Sequence, residues 1–175
     1  MEVILIRHTS VDVPPGVCYG QTDVPLKPTF EQEAAVTQEN LKAFCLSTMY
    51  IPVRLRAAYA LPPMRLSGCG TGQTDYGDKL RQLGNETFRP QRRPTPTGVV
   101  CRLFECSGSG GESFAMQYRR VSDFLDELKG KPYQRVAVFA HGGVLICAQI
   151  YAGIIKPEEA FSALTPYGGI VRITL

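Results

Sequence analysis

Glu2-Val-Ile-Leu-Ile-Arg7 opens the chain as an unbroken apolar run rich in β-branched residues. A run without polar alternation predicts a strand covered on both faces. Arg135-Val-Ala-Val-Phe-Ala140 repeats the pattern, and Gly169-Ile-Val-Arg-Ile-Thr174 predicts a final strand. The intervening periodicity is helical. Thr29 with Gln32 has the spacing of a capping box, and Phe30, Ala34, Leu41 and Phe44 can share one helix face. Gly110-Gly-Glu-Ser113 leads into a second helix reaching about Lys129, where Phe114, Tyr118, Val121, Phe124, Leu125 and Leu128 keep the 3.6-residue period. Gly130 and Pro132 stop it. An apolar helix is expected from Val144 to about Ala152, and Pro157 opens another short one. Thr9 to Pro28 reads as a loop, with Pro14, Pro15, Gly16, Gly20, Pro25 and Pro28. This order of elements predicts an α/β sandwich with helices packed on a mainly parallel sheet.

The stretch from about Cys45 to Ser109 breaks the picture. It shows neither clear strand alternation nor long helical periodicity. It holds eight of the chain's thirteen arginines and four of its six cysteines, and nets +5 while the remainder nets −2. The overall +3 is therefore no guide to a nucleic-acid or membrane partner. No apolar run reaches the roughly 18 residues of a membrane span, and the N-terminus lacks the pattern of a secretory leader. A cytoplasmic location with reduced cysteines is expected. No two cysteines form a C-x-x-C pair, so no metal site is predicted.

Candidate chemistry is concentrated in the chain's two histidines, His8 and His141. Each directly follows a predicted buried strand. Ligands of an open α/β sheet bind beyond the carboxyl ends of its strands, so parallel strands would bring both imidazoles to one end. Arg7 adds a planar fork suited to phosphate oxygens. A helix starting after Gly142-Gly143 presents free N–H groups and the positive end of its dipole. The pattern points to an anion site with an imidazole as nucleophile. It leaves open that Arg7 pairs with a carboxylate, and that the two glycines only make a tight turn.

Leu5-Ile6-Arg7-His8-Thr9 and Ala140-His141-Gly142-Gly143 resemble the two signatures of the histidine phosphatase superfamily, with Thr9 where glycine is usual. Cys18-Tyr-Gly-Gln-Thr-Asp-Val-Pro-Leu26 is similar to a loop of many alpha-ribazole phosphatases. The resemblance covers residues 1 to about 44 and about 110 to 175. It implies one phosphoglycerate mutase-like domain over residues 1–175: a three-layer α/β sandwich with helices on both faces of a mainly parallel sheet. It implies hydrolysis of a small phosphorylated metabolite, alpha-ribazole 5′-phosphate first, through a phosphohistidine at His8. A phosphoglycerate mutase is the second enzyme reading. Arg7 would hold phosphoryl oxygens, His141 would add a hydrogen bond, Gly142 would let backbone approach, and Gln21 and Thr22 would lie near the phosphate. No cofactor, metal, nucleic acid or membrane is implied, and a homodimer stays open. Glu112 and Ser113 fall on a family-like Gly-Glu-Ser stretch, but a polar helix start explains them as well.

Two groups that the family needs are not clearly present. For the second phosphate-binding arginine, Arg54 is the candidate, beside Arg56, without the usual flanking serine and cysteine. Within Asp78-Lys-Leu-Arg-Gln-Leu-Gly-Asn-Glu86, Gln82 occupies the expected position of the proton-donating acid, leaving Glu86 as the nearest substitute. A shifted reading frame is one explanation. Gly98-Val-Val-Cys-Arg-Leu-Phe-Glu-Cys106 can be encoded so that a shift of one base reads Glu-Trp-Tyr-Ala-Asp-Tyr-Leu-Asn. A two-base shift across suitable codons for Thr48 to Ala58 reads Asp-Val-Tyr-Pro-Arg-Ser-Pro-Ser-Arg-Cys-Leu, which contains an arginine motif of the family type. A middle stretch authentic as written favours an inactive, anion-binding relative instead.

Overall fold

The computed structural model describes residues 1–14, 24–44, 50–51, 112–160 and 162–175. Among these, four strands form one sheet: β1 (Glu2–Arg7), β2 (Tyr50–Ile51), β3 (Arg135–Ala140) and β4 (Ile170–Thr174), in the spatial order β2-β3-β1-β4. The helices are α1 (Phe30–Lys42), α2 (Phe114–Lys129) and α3 (Gly142–Tyr151), with a short 3₁₀ turn at Pro157–Glu159.

The two apolar runs become the two central strands. Val3, Ile4, Leu5 and Ile6 are each fully buried, as are Val136 and Val138. Consecutive strand residues point to opposite faces, so burial of all four in β1 means that both faces of that strand are covered. Complete burial of one such side chain contributes about 1.5–3 kcal/mol, which makes these strands the natural rigid floor for a site. β1 and β3 are parallel, with Arg7 opposite Ala140, and β2 is parallel to β3. β4, however, runs antiparallel to β1. Among the described strands the sheet is small and mixed, with two parallel pairings and one antiparallel. The Tyr50–Ile51 pairing also supplies a strand inside the stretch where none is expected.

Helix packing follows the predicted faces. Phe114, Val121, Phe124, Leu125 and Leu128 are buried on α2, which packs against α3, and α3 in turn meets β1 and β4. Ser113 caps α2 by accepting from the Met116 N–H at 3.2 Å. The polar helix start thus accounts for Ser113, while Glu112 forms a two-pronged ion pair with Arg120, at 2.5 and 2.7 Å. On α1, Phe30, Ala34 and Leu41 are buried with Thr37, and Phe44 lies half-buried just beyond the helix. The Thr29–Gln32 capping box does not form. Thr29 donates its hydroxyl to Glu33 at 2.8 Å instead, because that carboxylate is already fixed by a second loop described below. No described helix is long and apolar enough to cross a membrane.

Candidate active site

The register of β1 on β3 brings the two histidines together. Since Arg7 is opposite Ala140, the next residues, His8 and His141, leave neighbouring strands side by side at their carboxyl ends. The His8 N–H reaches across to the Ala140 carbonyl at 3.1 Å. The two imidazoles meet edge to face, with ring centroids 5.0 Å apart. Both rings are almost entirely removed from solvent.

His8 Nδ1 lies 2.7 Å from the Thr9 carbonyl oxygen. A carbonyl can only accept, so Nδ1 carries the proton and Nε2 keeps its lone pair in the neutral ring. Burial, with the Arg7 charge, lowers the His8 pKa to about 4; the Thr9 carbonyl and Glu33 oppose the shift. His141 is pushed well below the ordinary histidine value by burial, then by His8, Arg7 and Arg120. Its Nδ1 is buried without a hydrogen-bond partner among the described residues. Both imidazoles are thereby held toward the neutral form beside the Arg7 charge.

Arg7 is the fixed charge. Its Nη1 donates to the Thr165 carbonyl at 2.6 Å, and its Cζ sits 3.8 Å from the centroid of the Tyr167 ring. Gly142 lies against it: a Cβ there would come within 3.2 Å of Arg7 Nε and 3.3 Å of Cζ. α3 begins at Gly142 itself, two residues before the expected start. The N–H groups of Gly142 and Gly143 open that helix next to the guanidinium, where helix N-termini favour anions.

Two supports escape a reading of the sequence. Glu33 on α1 accepts from the Ser10 N–H at 2.7 Å and also from the Ser10 hydroxyl, tying the segment after His8 to the helix. The Ser10 and Thr29 hydrogen bonds, with Lys27, hold its carboxyl below the usual range against the opposing effect of burial. The turn before β4 is the other support. Gly168 adopts φ of +68°, a conformation that favours glycine. Its N–H there lies 3.2 Å from the carbonyl oxygens of both Arg7 and His8. Nothing in a Ser10–Glu33 separation or a Thr-Pro-Tyr-Gly turn announces these contacts.

The structure thus brings Arg7, His8, His141 and Gly142 into one cluster. Gln21, Thr22, Arg54 and Glu86 lie outside the described residues. Cys147 on α3 is buried, and burial raises its thiol pKa to about 12, so it is not poised to react. No group of three or more potential metal-ligating side chains occurs among the described residues.

The sequence model of the histidine phosphatase superfamily (branch 1) matches residues 79–175, more than half of the chain, and the protein belongs to that superfamily. The match opens inside the anomalous middle stretch and runs through His141. Among curated proteins no match is found. Solved structures with a similar fold include the alpha-ribazole phosphatase of Shigella flexneri, at 17% identity and a TM-score of 0.78, covering 100% of this chain and 91% of the other. A mycobacterial glucosyl-3-phosphoglycerate phosphatase aligns with a TM-score of 0.76 at 17% identity, over 98% of this chain and 88% of its own. A phosphoserine phosphatase of Entamoeba histolytica does so with a TM-score of 0.76 and 17% identity, over 98% and 89%.

Proposed function

We propose that the protein is a phosphomonoester hydrolase working through a phosphohistidine on His8. The carrying observation is the tautomer lock. The Thr9 carbonyl occupies Nδ1, so the lone pair of a neutral, desolvated Nε2 is left for phosphorus. In the first step Nε2 forms a bond to phosphorus as the bond to the leaving oxygen breaks, and an acid supplies that oxygen with a proton. In the second, water displaces the histidine and yields inorganic phosphate. Arg7 and the Gly142 N–H hold the non-bridging oxygens, and His141 donates a hydrogen bond to charge accumulating in transfer. Arg54 is assigned the second phosphate contact and Glu86 the proton donation, with Gln21 and Thr22 beside the phosphate.

The proposed substrate is alpha-ribazole 5′-phosphate, a small cytoplasmic metabolite. Its support is the Cys18–Leu26 loop together with the fold shared with an alpha-ribazole phosphatase. The full chain should be assayed with alpha-ribazole 5′-phosphate, 3-phosphoglycerate and phosphoserine, reading both phosphate release and isomerisation. The expected result is phosphate release with kcat/KM for alpha-ribazole 5′-phosphate at least about 10-fold above the others. Isomerisation of phosphoglycerate would replace this reading with a mutase. Phosphate binding without turnover of any substrate would replace it with an anion-binding module.

A further inference from the structure

Tyr167 sits in the turn before β4, is 42% exposed, and yet packs its ring on the Arg7 guanidinium. We propose that Tyr167 is a positioning residue that sets the plane of the Arg7 guanidinium for phosphoryl binding. The inference rests on Arg7 being a phosphate-holding group.

Three contacts from one short turn converge on Arg7. The Thr165 carbonyl holds Nη1 at 2.6 Å. The Gly168 N–H lies 3.2 Å from the Arg7 carbonyl oxygen. The Tyr167 ring lies 3.8 Å behind Cζ and 5.4 Å, centroid to centroid, from the His8 ring. The first two hold the backbone and one nitrogen. The aromatic face adds a contact at the guanidinium carbon itself, and stacking on a ring favours one plane of the fork. The ring also keeps water from that face of the cation, which strengthens its attraction to an anion on the open side. An arginine already held in plane loses less rotamer entropy when phosphate arrives. β4 thus anchors the turn that aims Arg7.

The test is titration calorimetry with inorganic phosphate, at a temperature where circular dichroism shows each full-length variant folded. Tyr167→Leu, which keeps apolar bulk but has no ring face, should weaken phosphate binding roughly 3- to 30-fold. Tyr167→Phe keeps the ring and should stay within about 2-fold of the wild type. Arg7→Lys should weaken binding, and Tyr167→Leu should then add little, since a lysine has no plane to set. Unchanged binding in Tyr167→Leu, or a loss fully additive with Arg7→Lys, would overturn the positioning role while leaving the phosphatase reading intact. Wild-type protein that binds no phosphate would overturn both.

Discussion

Replacing Gly142 by alanine should damage catalysis without damaging the fold. The added methyl group would stand 2.6 Å from Leu164 Cδ1, 3.2 Å from Arg7 Nε and 3.3 Å from Arg7 Cζ. Ordinary carbon contacts lie at about 3.5–4.0 Å, so both neighbours must yield. Leu164 is 39% exposed, and its side chain can swing outward cheaply. The guanidinium cannot move freely, because Thr165 and Tyr167 hold it. It must shift by a few tenths of an ångström, and since a misplacement of about 1 Å can cost 10²-fold, kcat/KM should fall roughly 3- to 10-fold. Stability should hold or rise by up to about 1 kcal/mol, because alanine loses less backbone entropy than glycine in a helix. Gly143→Ala is the matched control. Its methyl group would meet the buried Gln117 amide at 2.9 Å, a contact with α2 rather than with Arg7. That variant should lose about 1–3 kcal/mol of stability through overpacking and keep most of its kcat/KM. Steady-state kinetics with paired urea unfolding reads both quantities. Wild-type kcat/KM in Gly142→Ala, or equal catalytic losses in the two variants, would refute the reasoning.

Two further outcomes follow from the same geometry. The folded-state pKa of His8, about 4, lies below its ordinary 6.5, so the unfolded chain binds the extra proton between these values. The associated stability is complete above about pH 6.5, is lost as pH falls toward 4, and amounts to about 3 kcal/mol from His8 alone, with His141 acting in the same direction. Urea midpoints from pH 7.5 to 4.5 should fall accordingly, and should flatten in His8→Asn/His141→Asn; midpoints that stay level in the wild type would count against neutral, buried imidazoles. Glu33→Ala, which frees Ser10 and Thr29, should cost about 1–3 kcal/mol, and thermal unfolding unchanged from the wild type would show that this tether is idle.

The parts of the site legible in the sequence are those whose signal is local. β1 and β3 announce themselves as apolar runs, and His8 and His141 take their places because each is the next residue after a strand. Parallel pairing then does the rest. The direction of β4 is not legible, since five residues with apolar positions pair equally well either way. β2 consists of two residues and has no periodicity to detect. Glu33, Thr165 and Tyr167 act through contacts whose sequence separations, 158 residues for Thr165 to Arg7, carry no pattern. Thr29 looks like a capping residue, and it serves that carboxylate instead because tertiary contacts outweigh a local box. The motif-bearing groups can be read from sequence, whereas the groups that hold them still cannot.

A covalent bond between His8 and phosphorus is the step on which the proposed hydrolysis depends. Full-length protein mixed with alpha-ribazole 5′-[³²P]phosphate and quenched in alkali, where phosphohistidine survives, should carry label on the peptide containing His8, and His8→Ala should carry none. Wild-type protein that turns over the substrate without ever labelling, or label that persists in His8→Ala, would contradict it.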